Sequence, residues 1–199
     1  MRRMIAILEV FCLFLTLLAC SPSVGQRDFA YAEEAFTVSV SGTYLPASDP
    51  NGTPRSFAAT ISAGAPVSGD PSLRDLSLVF THPASLQGVA VAAVLSSDPA
   101  AGGEVTRRVT FTYPSEYGEV KATATGREFD GLLRCAEALL PLGDVTAVSP
   151  VAEDGTHIVT RSGDGRTVTF TFAEDSEFPV SFRLTDARGT VDCAVLPAS

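Results

Sequence analysis

Apolar and polar residues alternate along most of the chain after residue 35. In 36–44, Phe36, Val38, Val40 and Tyr44 fall on one face, and Thr37, Ser39, Ser41 and Thr43 on the other. A strand with a single buried face requires this pattern. The same period predicts strands at 57–63, 73–81, 89–95, 105–113, 117–125, 145–149, 157–161, 166–172, 180–185 and 190–196. Turn chemistry separates them, as at Asp49-Pro50-Asn51-Gly52, Asp164-Gly165 and Asp186-Ala187-Arg188-Gly189, where glycine supplies the positive φ that tight hairpins need. In 105–113 the apolar face of Val105, Val109, Phe111 and Tyr113 is interrupted only by Arg107.

The period changes once. Over 127–140, Phe129, Leu132, Leu133, Ala136, Leu139 and Leu140 recur at helical spacing and make one broad apolar stripe, as a helix lying on a core would show. Thr125 and Glu128 are spaced as a capping box, and Pro141 stops the helix. A brief helix over 28–35 brings Phe29, Tyr31 and Ala32 in ahead of the first strand. The fold class that follows is mostly β (α+β): an antiparallel half-barrel or curved sheet of about ten or eleven strands packed on one long helix.

The first 27 residues follow neither pattern. Arg2 and Arg3 precede an apolar run from Met4 to Leu18, and roughly 15 apolar residues are too few to span a hydrocarbon core that needs about 20, so the segment reads as a signal peptide. It ends in Leu17-Leu18-Ala19-Cys20, which resembles the bacterial lipobox, whose cysteine is alkylated by a diacylglyceryl group and becomes the first mature residue. Glu9 departs from the pattern, and an ordinary cleaved signal with an incidental cysteine is the plainer alternative. The fit of all four positions and the polar Ser21-Pro22-Ser23 that follows favour lipidation of Cys20. Acyl chains contribute about 0.8 kcal/mol per buried methylene, so two or more hold a domain on its membrane. The organisation expected is a signal peptide at 1–19, a lipidated cysteine and tether at 20–28, and one β domain at 29–199.

Charge narrows the partners. Loss of Arg2, Arg3 and Glu9 leaves the mature chain one unit more negative than the formal −9. Nucleic acid is disfavoured, because its binding relies on cations that neutralise phosphates, and a direct electrostatic grip on anionic lipid is disfavoured likewise. The membrane is then a partner through the lipid on Cys20, and the sequence names no protein partner. Cys12 leaves with the signal peptide and Cys20 carries lipid, so Cys135 and Cys193 remain. Outside the cytoplasm they either form a disulfide or sit as two buried apolar thiols; sequence separation does not decide between these.

Catalytic chemistry is thin. The two histidines, His82 and His157, sit in no nucleophile or acid–base motif. Gly163-Asp164-Gly165 lacks the further carboxylates of a calcium loop and the lysine of a phosphate loop, and Glu174, Asp175 and Glu177 read as a solvated acidic loop. Asn51-Gly52-Thr53 is a formal glycosylation sequon without weight in a bacterial lipoprotein. No enzyme activity, metal or cofactor is expected.

Three places carry a likeness to a known family: the strand at 36–44 with its hairpin partner, Leu78-Val79-Phe80 leading into Pro83-Ala84-Ser85-Leu86-Gln87-Gly88, and the helix after Thr125 followed by paired strands. In pattern and order, most of residues 29–196 resembles the LolA/LolB-like lipoprotein carrier superfamily and its lipidated relatives. The resemblance implies an antiparallel half-barrel around helices, with an apolar cavity that receives acyl chains or another greasy ligand. The cavity would be lined by Phe129, Leu132, Leu133, Ala136 and Leu139. The alternative for the same stripe is a filled core, in an envelope-structural or protein-interaction module.

Overall fold

The structure is a computed structural model that describes residues 28–97, 105–125 and 130–197, without the side chains of 96–97, 105–106, 125, 130–132 and 197. Residues 1–27 lie outside it, and with them the expected signal peptide, Cys20 and all but the last residue of the expected tether.

Eleven strands form one antiparallel sheet: β1 (Phe36–Pro46), β2 (Arg55–Ala63), β3 (Leu76–His82), β4 (Ala90–Ser97), β5 (Val105–Ser115), β6 (Gly118–Thr125), β7 (Asp144–Val148), β8 (Thr156–Gly163), β9 (Arg166–Ala173), β10 (Ser181–Asp186) and β11 (Gly189–Pro197). Their order is β6-β5-β4-β3-β2-β1-β11-β10-β9-β8-β7. The chain therefore builds one meander outward from the centre, crosses to the far edge, and builds a second meander back until β11 pairs with β1. The crossing element is α1 (Asp130–Ala138), which packs on β2, β3 and β4 of one arm and on β10 of the other.

Apart from the edge strands β6 and β7, whose described side chains are not buried, the strands bury residues from one side, so one face of the sheet is apolar. Val38 and Val40 of β1, Ile61 of β2, Leu78 of β3, Val91 of β4, Val109 of β5, Phe170 and Phe172 of β9 and Leu184 of β10 all point into this core. The opposite face carries hydroxyl pairs across neighbouring strands, such as Thr37 with Ser62, Thr110 with Thr123, and Thr160 with Thr169, which satisfy polar groups at a half-wetted surface. The β8–β9 hairpin turns on Asp164 and Gly165, with φ of 50° and 72°, the double positive φ expected of an Asp-Gly turn.

The sheet is curved. Flat, it would hold β5 and β9 about 34 Å apart at the usual strand spacing, yet Glu137 of α1 accepts from Arg107 of β5 at 2.6 Å and from Arg166 of β9 at 3.4 Å. The two arms must fold toward each other around the helix. An open half-barrel results, with β6 and β7 as its free edges.

Two sequence expectations change. The helix is short: among the described residues it spans nine, not the whole of 127–140, so the fold does not pack on one long helix. At its C-terminal end the backbone tightens, with Leu139 N–H donating to Ala136 O and Leu140 N–H to Glu137 O, because Pro141 disfavours helical backbone at the residue before it. Residues 126–129 and the capping box lie outside the described part. The third strand begins at Leu76 rather than at 73, because Asp70 accepts from Ser72 N–H at 2.8 Å and from its hydroxyl at 2.6 Å, holding 70–72 in a turn.

Candidate functional site

The concave face carries the apolar core of the sheet, and three devices occupy it. The first is α1. Leu133, Ala136 and Leu139 have no exposed surface. A side chain lining a void wide enough for a water molecule keeps some accessible area, so these three meet packed atoms instead. Phe129 and the side chain of Leu132 lie outside the described residues.

The second is the N-terminal segment, whose short 3₁₀ helix covers Ala30–Glu33. Phe29 stands edge-on to Phe170 and Phe172, and Tyr31 stands edge-on to Phe36. The buried Tyr31 hydroxyl donates to Leu139 O at 2.6 Å, tying this segment to the end of α1. Burial pushes the Tyr31 phenol well above its ordinary value, against the opposing charges of Arg74 and Arg161. Arg74 is almost wholly buried and donates to the carbonyls of Ala32 and Glu34; the same burial lowers its pKa. Arg161 lies over the Phe29 ring, 5.1 Å from its centre, and donates to Gly143 O at 2.6 Å. His157 Nε2 stands 3.0 Å from Asp28 Oδ1, its ring stacked on Phe172. The segment is thus a plug built into the core of the second arm.

The third is a set of polar contacts from the helix itself. Arg134 pairs with Asp186 at 2.7 Å, donates to Gly189 O at 3.0 Å and lies over the Tyr44 ring. Glu137 holds the two arms as described above. Between them Cys135 faces Cys193 of β11, with 3.9 Å between the sulfurs and both side chains buried. Sequence reasoning found the cysteines but missed Arg74, Arg134, Arg161, Arg166 and the Asp28–His157 contact. Arg107 alone left a mark, as the charge breaking the apolar face of its strand.

Beyond these devices the apolar face continues uncovered by any other described residue. Register places Val109 opposite Ala124, Phe111 opposite Ala122 and Tyr113 opposite Val120 on the β5–β6 arm. Val109 is fully buried, whereas Tyr113 is 45% and Val120 59% exposed. The face therefore passes from core to open surface along a single strand. Two of the solvent-open grooves among the described residues lie elsewhere. One of about 450 Å³ runs across the ends of β1 to β4 beside Phe36, Ala63, Leu76 and Ala93. The other, of about 480 Å³, lies among Phe29, Ala32, Pro66, Pro71, Pro141 and Arg161.

Among the described residues no group of three His, Cys, Asp or Glu is placed to hold a metal ion, and no helix is long and apolar enough to cross a membrane. His82 is an exposed residue ahead of a cis Pro83, and Glu174, Asp175 and Glu177 are exposed.

No family model matches the chain, and no curated protein matches it. Among solved structures, a DUF1329 family protein from Desulfovibrio piger is similar, with a TM-score of 0.45 and 10% identity over 86% of each chain. So slight a likeness carries no function across.

Proposed function

We propose that this chain is a membrane-anchored extracytoplasmic lipoprotein, a lipidated relative of the LolA/LolB-like carriers, that receives a lipid or other hydrophobic ligand on the open end of its concave face. The observation that carries the reading is the continuation of the apolar face from buried Val109 to half-exposed Tyr113 and Val120. A soluble domain seldom leaves such a face uncovered unless something binds there. Relative to the cavity expected from the sequence, the ligand is placed beyond the helix rather than beneath it, since Leu133, Ala136 and Leu139 are packed. The lipid on Cys20 keeps the domain at a membrane surface, where such ligands are at hand.

Titration of the domain with a fluorescent fatty acid tests this. Saturable binding is expected, and a Tyr113→Ser, Val120→Asp double variant should weaken it by on the order of tenfold, the equivalent of about 1.4 kcal/mol. If the parent domain shows no saturable binding, the ligand reading is wrong. A second reading, an envelope-structural or protein-interaction module, draws support from the burial of Leu133, Ala136 and Leu139, and it predicts pull-down of a protein partner that the same double variant abolishes.

A further inference from the structure

Cys135 and Cys193 are brought together by the topology across a sequence separation of 58, one from the helix and one from the central strand β11. We propose that they are a modification site, at which the exported protein acquires a disulfide that staples α1 to the centre of the concave face.

Two independent features prepare the site. In the β1–β11 ladder the residue opposite Cys193 is Gly42. A Cβ added there would come within 2.7 Å of the Cys193 sulfur and 2.1 Å of Asp192 O, so the absence of a side chain at 42 leaves room for the sulfur on the inward face. The helix, in turn, is positioned without the bond: Arg134, the neighbour of Cys135, is fixed by Asp186 and Gly189 O at the turn that opens β11. The sulfurs then have 3.9 Å to close to a bonding distance near 2.05 Å.

The chemistry is thiol–disulfide exchange with a disulfide oxidant of the thiol-oxidoreductase class. The thiolate of one cysteine attacks the oxidant's disulfide to give a mixed disulfide and release one oxidant thiol. The second cysteine's thiolate then displaces the other. Two electrons pass to the oxidant, which leaves as a dithiol, and the two cysteine protons are taken up in making it. In the folded protein the contact with Cys135 and burial both push the Cys193 thiol up, which keeps it protonated and shielded. Exchange therefore belongs to the folding chain, or to moments when α1 lifts.

The geometry stands by itself, while the oxidant rests on the exported-lipoprotein reading, and the test separates the two. The full chain is taken from the bacterial envelope with its free thiols blocked, digested without reductant and mapped by mass. A linked peptide joining Cys135 and Cys193 is expected, together with a fall in Tm on the order of 10 °C upon reduction; Cys193→Ser should not respond to reductant. Two free thiols that stay free when an unblocked sample is refolded from denaturant with oxidised glutathione would overturn the site. Two thiols found free in the envelope sample that pair on such refolding would uphold the site and overturn the exported placement instead.

Discussion

Replacing Ala136 by Phe separates a filled core from a cavity beneath the helix. Ala136 has no exposed surface, and the strands under α1 present Ile61, Leu78, Val91 and Leu184, each exposed by 1% or less. A phenyl ring cannot enter without displacing them. Overpacking of this kind costs about 1 to 3 kcal/mol for added methylenes, and a whole ring belongs at the upper end, about 3 kcal/mol. In a domain of this size each kcal/mol moves Tm by about 2–4 °C, so a fall of about 6–12 °C is expected. Thermal and urea unfolding of the mature domain measure it. Leu133→Ala serves as the control of opposite volume and should cost about 2–5 kcal/mol through the cavity it leaves. An Ala136→Phe domain that melts with its parent would mean that space exists beneath the helix, and the argument from complete burial would fail.

Two further predictions follow from other parts of the chain. Cys20→Ala should lose lipidation, so the protein should move from the detergent phase to the aqueous phase on phase separation; a variant that stays with the detergent would refute the lipobox. Tyr31 has a folded-state pKa raised by burial, so the folded state holds its proton more tightly than the unfolded chain does. Its contribution is fully present below the ordinary tyrosine value of 10.0 and is lost as the pH rises past it. Stability should decline above about pH 10, and Tyr31→Phe should flatten that decline while losing the hydrogen bond to Leu139 O. An unchanged alkaline limb in the variant would show that another group is responsible.

All eleven strands were legible, most of them because a sheet with one buried face prints its geometry directly as alternation; the exposed edges β6 and β7 lack that buried face. The N-terminal turn was legible too: Phe29, Tyr31 and Ala32, picked out by pattern, are all buried. The helix was overread at its C-terminal end because Leu139 and Leu140 continue the apolar period and are indeed in the core, but reach it from a tightened turn before Pro141. Periodicity reports which side of the backbone is buried, and a buried turn imitates it. The polar contacts were not legible, since each joins residues far apart in sequence. Arg74 meets Ala32 across 42 residues, and Arg107 meets Glu137 across 30. A lone charge on an apolar face was the one local trace, and it had no means of naming its partner. The cysteines show the same limit: their chemistry was visible, their meeting only in the fold.

The arrangement of the concave face bears on what the proposed ligand can be. The second arm is filled by the plug of Phe29 and Tyr31, which Arg74 and Arg161 clamp, and the middle by α1, held by Arg134 and Glu137. A disulfide at Cys135 would keep the middle shut. What remains among the described residues is the strip on β5 and β6. Val120 lies directly opposite the half-exposed Tyr113, one strand over and about 5 Å away. That surface accepts one acyl chain or one ring system laid along the sheet more readily than a diacyl lipid. A fatty acid is accordingly the apt first probe, and tighter binding of a diacyl lipid in the oxidised protein would show that the helix or the plug gives way.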